Sequence, residues 1–284
     1  MKNSLVAAAI AGVMSMSANA NPLLIDDFSF AQATLTVDSG SPFASSSVID
    51  PALTPSIIGG ERDLAIELSA GGNDGETATV RVTGGANGAL VFSSDDSVSA
   101  QVSVQWDGAD NSSALGFNLG VDLSDFSGLE LTTLGSDLAY PFSIGFYNSA
   151  AQWSKITLPA SGVTSSPALL ATGLYFPAPH VTVLSLAAFG SCGAVVPVTY
   201  PNPALGISGN VVVECGGGGV DFTQVIGAIE AIVNIELPVA ASGLQQTASV
   251  DLRFDMIRAV PEPATLALVG FGLLAGTLAR RRRT

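Results

Sequence analysis

The chain has 284 residues and a formal net charge of −14, and only 12% of its residues are charged. Residues 21–260 contain 23 acidic against 5 basic side chains, a net charge of −18, which repels nucleic-acid phosphates and anionic lipid. Two cysteines and one histidine exclude zinc fingers, iron–sulfur clusters and haem held by several histidines.

The first 20 residues have the pattern of a cleaved secretory signal peptide. Lys2 is a short basic region, Leu5–Met16 is apolar, and Ala18 and Ala20 form a small-x-small cleavage site. A buried N-terminal helix is the alternative, but no polar residues alternate with the apolar ones. We therefore expect cleavage after Ala20, so that the mature chain begins near residue 21, outside the cytoplasm.

Residues 21–259 are predicted to form one all-β body, an antiparallel β-sandwich of jelly-roll type. The clearest strand is Ser97–Trp106, where apolar residues alternate with Ser and Gln, so that Trp106 falls on the buried face. Antiparallel sheets with one solvated face have this pattern. Similar runs predict strands at Thr77–Thr83, Pro141–Phe146, Trp153–Leu158 and Ser249–Met256.

Turns rich in glycine and asparagine separate these runs. Both residue types supply the positive φ that tight hairpins need, so strands are expected every eight to twelve residues, as in a sandwich or jelly roll. The turn segments are Gly71–Gly75, Gly84–Gly88, Asp107-Gly108 and Tyr147–Ala151.

The segment Asp221–Leu237 is ambiguous between helix and strand. Its first apolar residues have helical spacing after an aspartate that could cap a helix. Gly227 is unfavourable inside a helix, however, and Ile229–Leu237 is rich in residues that favour strands. We expect a short turn at Asp221–Val225 that leads into a strand.

Three segments of the body look similar to the jelly-roll domains of other secreted proteins, some of which bind carbohydrate. They are Leu24–Phe28, Gly59–Leu64 and the closing strand Asp251–Ile257. The resemblance implies a β-sandwich and assigns no binding residue. A carbohydrate-binding module is therefore the alternative to a body with a purely structural role.

Cys192 and Cys215 are predicted to form a disulfide, because both lie in the exported body. Closing a loop of that size stabilises a fold by about 3 kcal/mol on the chain-entropy model. A catalytic thiol needs a nearby base, and the only histidine, His180, lies in a proline-rich, loop-like run. A G-x-S-x-G elbow, which would indicate a serine hydrolase, is absent.

Paired carboxylates are the one catalytic apparatus that this composition could hide. Glycoside hydrolases need two carboxyl groups about 5–10 Å apart, a distance that the sequence does not reveal. We expect most acidic residues to be solvated, and the aromatic platforms of a sugar cleft are limited to Trp106, Trp153 and four tyrosines. The body is predicted to be non-enzymatic, with a glycan-active hydrolase as the weaker alternative.

Oxygen ligands suitable for calcium cluster in three places but lack EF-hand spacing. Asp and Asn in turns are also explained by hydrogen bonds to their own backbone. We therefore predict no cofactor and no metal site, and a structural calcium ion stays open as the alternative. The three clusters are Asn73–Glu76, Asp95-Asp96 and Asp107–Asn111.

The C-terminus carries a second apolar segment, Ala264–Ala279, which is predicted to be a single transmembrane helix. Its 16 residues would span about 24 Å as a helix, short of the roughly 30 Å hydrocarbon core. Flanking residues, snorkelling arginines and local thinning can make up part of the difference, so the span is marginal. A basic cluster after the helix places that end in the cytoplasm and the body outside. The cluster consists of Arg280, Arg281, Arg282 and Arg283.

A proline-rich motif, Val260-Pro261-Glu262-Pro263, stands directly before the span. Proline lacks a backbone donor and restricts its predecessor to extended geometry, so we expect this segment to be extended and accessible at the membrane surface. Glu262 is the only charge in the motif, so charge-based recognition would depend on it.

The order of these parts over residues 260–284, an extended motif, an apolar span and an arginine cluster, resembles the PEP-CTERM sorting domain. The resemblance implies that an inner-membrane exosortase recognises the tail and cuts it at or near Pro-Glu-Pro. It also implies a Gram-negative bacterium that makes exopolysaccharide and biofilm matrix. An ordinary single-span anchor is the alternative.

These observations together predict a secreted, non-enzymatic surface or matrix protein. We expect it to be held transiently in the inner membrane and then delivered to the cell surface, the outer membrane or the extracellular matrix. Its expected partners are an exosortase and, outside the cell, exopolysaccharide.

Overall fold

The computed structural model describes residues 21–52, 56–72, 75–136, 140–158, 180–199, 208–235 and 251–261. In these residues the chain forms an antiparallel β-sandwich of two sheets, which confirms the predicted all-β class and the sandwich, while the jelly-roll type stays a prediction. Within the described ranges, no helix is long and apolar enough to cross a membrane. The predicted signal peptide, membrane span and arginine cluster lie outside those ranges.

The described residues contain fifteen strands, a 3₁₀ turn at Ile58–Gly60 and a short helix, α1, at Leu186–Phe189. The strands in chain order are β1 (Leu23–Asp26), β2 (Gln32–Val37), β3 (Phe43–Ile49), β4 (Glu61–Ala70), β5 (Ala78–Val82), β6 (Leu90–Ser94), β7 (Ser99–Trp106), β8 (Phe126–Ser136), β9 (Phe142–Ser149), β10 (Gln152–Leu158), β11 (His180–Ser185), β12 (Val195–Thr199), β13 (Ser208–Gly216), β14 (Ala228–Val233) and β15 (Asp251–Pro261).

The strands are divided into one seven-stranded and one eight-stranded sheet. The seven-stranded sheet has the order β11-β8-β15-β6-β5-β2, and β1 pairs with the C-terminal part of β15. The eight-stranded sheet has the order β12-β13-β10-β9-β14-β7-β4-β3. Strands that follow one another in the chain are often not neighbours in a sheet, so each sheet is held together by pairing between distant parts of the chain.

Alternation along the strands separates the core from the solvated faces, as β7 illustrates. Val102, Val104 and Trp106 are buried in the core between the sheets. Gln101, Ser103 and Gln105 alternate with them on the opposite face and are half-buried. The strand predicted at 97–106, with Trp106 inside, is therefore confirmed.

The other predicted strands are present with shifted ends. The run at 77–83 is β5, the run at 141–146 is the first part of β9, and the run at 153–158 is β10. The ambiguous segment is a turn followed by β14, as expected, because the Asp221 carboxylate accepts hydrogen bonds from Thr223 and from the Gln224 side chain.

The last strand, β15, ends five residues beyond the end of the predicted run Ser249–Met256. Val260 pairs with Gly128 and Pro261 with Phe126, so the first two residues of the proline-rich motif belong to the sheet. Proline is tolerated there because it ends the strand and needs no further donor. Val260 and Pro261 are extended, as expected of the motif, but they are half-buried rather than fully accessible. Glu262 and Pro263 lie outside the described residues.

The predicted disulfide is present between Cys192 and Cys215, whose Cα atoms are 5.8 Å apart. Cys192 follows α1 and Cys215 lies near the end of β13, so the bond ties the segment between β11 and β12 to the eight-stranded sheet. His180 is the first residue of β11 and pairs with Thr133, which corrects the expectation of a loop there. The strand forms because His180 pairs with the distant strand β8, and the prolines before His180 give no indication of that pairing.

Candidate functional site

The outer face of the eight-stranded sheet carries a row of polar and aromatic side chains, which we call the polar face. Side chains alternate across a strand, so every second residue of each central strand points away from the core. The polar face comprises Gln101, Ser103 and Gln105 of β7, Glu230 of β14, Tyr147 of β9, and Trp153 and Lys155 of β10.

Glu230 lies at the centre of a hydrogen-bond network on this face. Tyr147 donates its hydroxyl to Oε2 of Glu230 at 2.8 Å. Gln105 and Ser103 donate to Oε1 at 2.9 and 3.2 Å. Burial, the charge of Glu230 and its hydrogen bond all raise the pKa of Tyr147 far above its ordinary value, so the phenol stays neutral and keeps donating. The network holds three neighbouring strands in one arrangement of side chains.

Three half-buried aromatic rings lie side by side beside this network, and we call them the aromatic strip: Phe117, Tyr147 and Trp153. The ring centroids of Phe117 and Tyr147 are 6.2 Å apart, as are those of Tyr147 and Trp153. The Tyr147 and Trp153 planes are inclined by only 35°. Together the rings form a continuous apolar surface bordered by hydrogen-bonding groups.

Glycines beneath the rings allow them to lie close to the sheet. A Cβ atom at Gly216 would lie 2.5 Å from Nε1 of Trp153, and one at Gly145 would lie 3.1 Å from the Tyr147 ring. Gly216 is the β13 partner of Trp153 in the sheet register. Since glycine has no side chain, each ring occupies the space that a neighbour's side chain would fill.

The Lys155 ammonium lies at the end of the strip. Its Nζ atom is 5.9 Å from the centroid of the Trp153 ring and 3.8 Å from Oε2 of Glu214. This half-exposed pair contributes little to stability because solvent screens it. The pair places one positive and one negative charge near Trp153, whereas the body as a whole is strongly acidic.

A second group of polar residues lies at the base of the loop of residues 107–120, and we call it the carboxylate cluster: Glu61 and Asp63 of β4, and Asp107 at the start of the loop. Asp110, further along the loop, is exposed. Glu61 and Asp107 are fully buried, and Asp63 is 2% exposed. The Glu61 Oε2 atom accepts the backbone N–H groups of Asp110 and Asn111 at 2.5 and 3.0 Å. Asp107 accepts the N–H of Gly116. The loop is thereby fastened over β4.

The carboxylates of the cluster repel one another. Burial, followed by the charges of Asp107 and Glu61, raises the pKa of Asp63 to about 7, although the Ser47 hydroxyl acts in the opposite direction. Burial and the charges of Asp110 and Glu61 also raise the pKa of Asp107. The Asp63 side chain is hydrogen-bonded to Ser47 and to Asp107, whereas Oε1 of Glu61 has no hydrogen-bond partner.

Between Glu61 and Asp63, Arg62 points the opposite way, into the core, because successive side chains of β4 alternate. Arg62 and Asp26 are both fully buried and form an ion pair, with Nη1 3.1 and 3.0 Å from the two carboxylate oxygens. Asp26 also accepts from Trp106 Nε1 at 2.9 Å and from the Phe28 N–H at 2.7 Å. Burial raises the pKa of Asp26, opposed by the Arg62 charge and these hydrogen bonds.

Sequence reasoning missed most of these residues as a group. It noted Asp107–Asn111 as oxygen ligands and Trp153 as an aromatic residue, but it did not link them to Glu61, Asp63 or Glu230. The expectation of mostly solvated acids does not hold at the carboxylate cluster or at Asp26. One signal was available in the sequence. Glu61, Arg62 and Asp63 at the start of β4 are all charged, so at least one charged side chain must lie on the buried face of the strand.

The remaining site residues predicted from the sequence lie partly outside the described residues and partly in turns. Ala18, Ala20, Glu262, Pro263 and the arginine cluster lie outside the described residues, so those assignments stay predictions. Of the calcium candidates, Asp95 accepts hydrogen bonds from Thr77 and thereby closes a turn. In the part of the chain that the structure describes, no group of three or more histidine, cysteine, aspartate or glutamate side chains could hold a metal ion.

Residues 259–283 match the PEP-CTERM protein-sorting motif, which confirms the resemblance seen in the sequence. The motif indicates a protein that is exported and sorted to the cell envelope or surface in Gram-negative bacteria. A comparison with curated protein sequences gives no significant match.

Two solved structures are weakly similar to the chain. One is the family 11 carbohydrate-binding module of the cellulosomal cellulase Lic26A-Cel5E of Clostridium thermocellum, with 9% identity, a TM-score of 0.35, and coverage of 85% of this chain and 95% of that one. The other is a family 11 module from Clostridium thermocellum in complex with a β-1,3-1,4-mixed-linked tetrasaccharide, with 9% identity, a TM-score of 0.34, and coverage of 84% and 95%. No residue is assigned from these similarities.

Proposed function

We propose that the protein is a non-enzymatic surface or extracellular-matrix protein whose sandwich binds a neutral polysaccharide on the polar face. The observation that carries this proposal is the aromatic strip lying beside the Glu230 network. A sugar ring has an apolar face of C–H groups and an edge of hydroxyls, so it needs an aromatic surface bordered by planar hydrogen-bonding groups.

The arrangement favours binding because it is already ordered. Tyr and Trp bring a large contact area with few rotatable bonds, which keeps the entropy cost of binding low. Tyr147 is held by Glu230 at 2.8 Å, and Trp153 lies over Gly216. A ligand therefore meets side chains that need little rearrangement.

The charge of the body favours a neutral glycan over an anionic one. Its net charge of −18 repels polyanionic polysaccharides, as it repels nucleic acid. On the polar face, Lys155 is paired with Glu214, so it does not form an anion-binding patch. An exopolysaccharide of uncharged sugars is the matching partner.

A non-enzymatic role agrees with the positions of the carboxylates. The Glu230 carboxylate, beside the strip, already accepts hydrogen bonds from Gln105 and Tyr147 on its two oxygens. The carboxylate cluster lies at the base of its loop, with Glu61, Asp63 and Asp107 at most 2% exposed, so a polysaccharide does not reach it. A glycan-active hydrolase is the second candidate, because the chain contains enough acidic residues to supply a catalytic pair of carboxyl groups.

The binding test is retention of the full chain, in mild detergent, on insoluble neutral glycans and on the polysaccharide of the producing cells. We expect Trp153→Ala to weaken retention at least tenfold, as for a central aromatic contact. Phe43→Ala is the matched control, because Phe43 is 59% exposed but lies on the edge strand β3. Equal retention of both variants, or binding only to anionic glycans, would contradict the proposal. Reducing ends released by the wild-type chain would instead indicate a hydrolase.

The proposed export route is tested separately on native protein. We propose signal-peptide cleavage after Ala20, transient insertion through Ala264–Ala279 and cutting by an exosortase-type enzyme near Pro261–Pro263, followed by delivery to the surface or matrix. Intact mass measured on protein from the cell surface and the medium should give a chain that begins near residue 21 and ends near residue 262. A chain found only in the inner membrane, with Arg280–Arg283 still attached, would contradict this route.

A further inference from the structure

We infer that the folded sandwich restricts access to its own sorting tail. The end of β15 is held between β1 and β8, and it has to separate from them before a processing enzyme can cut at Pro-Glu-Pro. The inference deepens the proposed function, because it rests on the export route in which an exosortase-type enzyme cuts the tail. It is independent of glycan binding.

The sorting motif begins inside the folded sheet. The match to the PEP-CTERM motif starts at residue 259, and β15 continues to Pro261, so the beginning of the motif belongs to the last strand. Ala259 is fully buried, and Val260 and Pro261 are half-buried. An enzyme that binds these residues in its own active site therefore meets them already paired within the body.

Neighbouring strands hold this end of β15 on both sides. On one side, Val260 pairs with Gly128 of β8. On the other side, Ala259 pairs with Leu23 of β1. Since β1 begins soon after the expected signal-peptide cut behind Ala20, the new N-terminus lies beside the strand that leads to the tail.

An ion pair fastens the same part of β15 to β8. Arg258 and Glu130 are partners in the sheet register, and Nη2 of Arg258 lies 2.6 Å from Oε1 of Glu130. The side chains are 35% and 14% exposed, so solvent screens this pair less than a fully exposed one. Opening the end of β15 as far as Arg258 breaks the ion pair together with the backbone pairing.

The sequence leaves almost no spare chain between the sheet and the predicted membrane span. Glu262 and Pro263 alone separate the end of β15 at Pro261 from the span that we expect to begin at Ala264. Proteases cut exposed, unpaired backbone, and a site within folded structure is cut from a transiently open form. The rate of cutting should therefore follow the fraction of chains in which the end of β15 is open.

The test is a disulfide that locks the end of β15 to β1. Leu23→Cys and Ala259→Cys are combined, because the two residues lie opposite each other on antiparallel strands, within reach of a disulfide after small adjustment. The full chain is expressed in the producing cells, and pulse-chase with non-reducing intact mass follows the added bond, signal-peptide cleavage and the cut tail. We expect the locked chain to be cut at least about tenfold more slowly. Adding a reductant to the isolated membranes should restore cutting.

The matched control is a second lock nearer the start of the same strand. Arg253 of β15 pairs with Val91 of β6, so Val91→Cys combined with Arg253→Cys ties down β15 far from the motif. This lock should leave the rate of cutting unchanged. The single variants Leu23→Cys and Ala259→Cys measure the effect of each substitution without the bond.

A second variant tests the same contact in the opposite direction. Glu130→Gln removes the charge that holds Arg258, so the end of β15 should open more often and the tail should be cut about two- to fivefold faster. Glu214→Gln is its control, since Glu214 forms an ion pair with Lys155 in the other sheet. The control should be cut at the wild-type rate.

Four results would overturn the inference: cutting of the locked chain at the wild-type rate, equal slowing by both locks, equal slowing by a single cysteine variant, or no difference between Glu130→Gln and Glu214→Gln. If the locked chain does not fold, the two glutamine variants still decide. A wild-type chain that is never cut would refute the export route and this inference together, whereas normal cutting of the locked chain would refute the inference alone.

Discussion

Removing the charge of Asp26 should destabilise the sandwich more than any surface substitution. Asp26 is the only ion-pair partner of Arg62 among the described residues, and both side chains are fully buried. In Asp26→Asn the guanidinium keeps its hydrogen bonds to the Gln32 side chain and the Phe30 carbonyl but loses its counter-charge.

The magnitude follows from the burial of the pair. Removing one partner of a buried ion pair leaves an uncompensated charge and costs about 3–5 kcal/mol. For a body of roughly 240 residues, each kcal/mol lowers Tm by about 2–4 °C, so Asp26→Asn should lower Tm by roughly 6–20 °C. The Trp106 indole and the Phe28 N–H would also lose a charged acceptor.

The matching experiment is a double-mutant cycle with Arg62→Met. Urea unfolding of the oxidised full chain is followed by tryptophan fluorescence, which reports on Trp106 inside the network and on Trp153 on the polar face. We expect the double variant to be destabilised by at least about 2 kcal/mol less than the sum of the two single variants, since it leaves no unpaired charge. A cost below about 1 kcal/mol for Asp26→Asn, or strict additivity, would refute this account.

Two further predictions concern the eight-stranded sheet. Replacing Cys192 and Cys215 together by serine should lower the free energy of unfolding by about 3 kcal/mol, measured by urea unfolding, because the bond closes a loop with a sequence separation of 23; an unchanged midpoint would contradict it. Gly216→Ala should displace Trp153 and so change its fluorescence and weaken glycan retention, whereas Gly190→Ala, whose added Cβ would have no neighbour nearer than 3.6 Å, should leave both unchanged. Equal behaviour of the two glycine variants would show that the close approach at Gly216 does not position the ring.

Local patterns were sufficient for six of the fifteen strands described, β5, β7, β9, β10, β14 and β15, and for the buried side of β7. The alternation in β7 correctly placed Trp106 in the core, because a period of two is a property of any single strand with one buried face. The turn at Asp221 was also predictable, because its carboxylate accepts hydrogen bonds from Thr223, which is only two residues away. The predicted end of β15 was five residues short, because pairing of Val260 and Pro261 depends on β8.

Local patterns failed where charge is buried. Three consecutive charged residues, Glu61, Arg62 and Asp63, indicate a surface segment, yet all are buried in the structure. Arg62 is satisfied by Asp26, 36 residues away, and Glu61 by the backbone of Asp110, 49 residues away. Such partners become visible only when the strand order is known.

The sequence by itself determined the sorting tail, the all-β class and the cysteine pair. A sorting signal is read by other proteins as a linear segment, and alternation reflects only the nearest residues of one strand. The tertiary structure alone decided that Tyr147, Trp153 and Glu230 share one face and that Glu61, Asp63 and Asp107 are buried close together. Those groupings depend on which distant strands pair. Strands pair through backbone hydrogen bonds, which are the same for every residue type, so the local sequence does not reveal the partner.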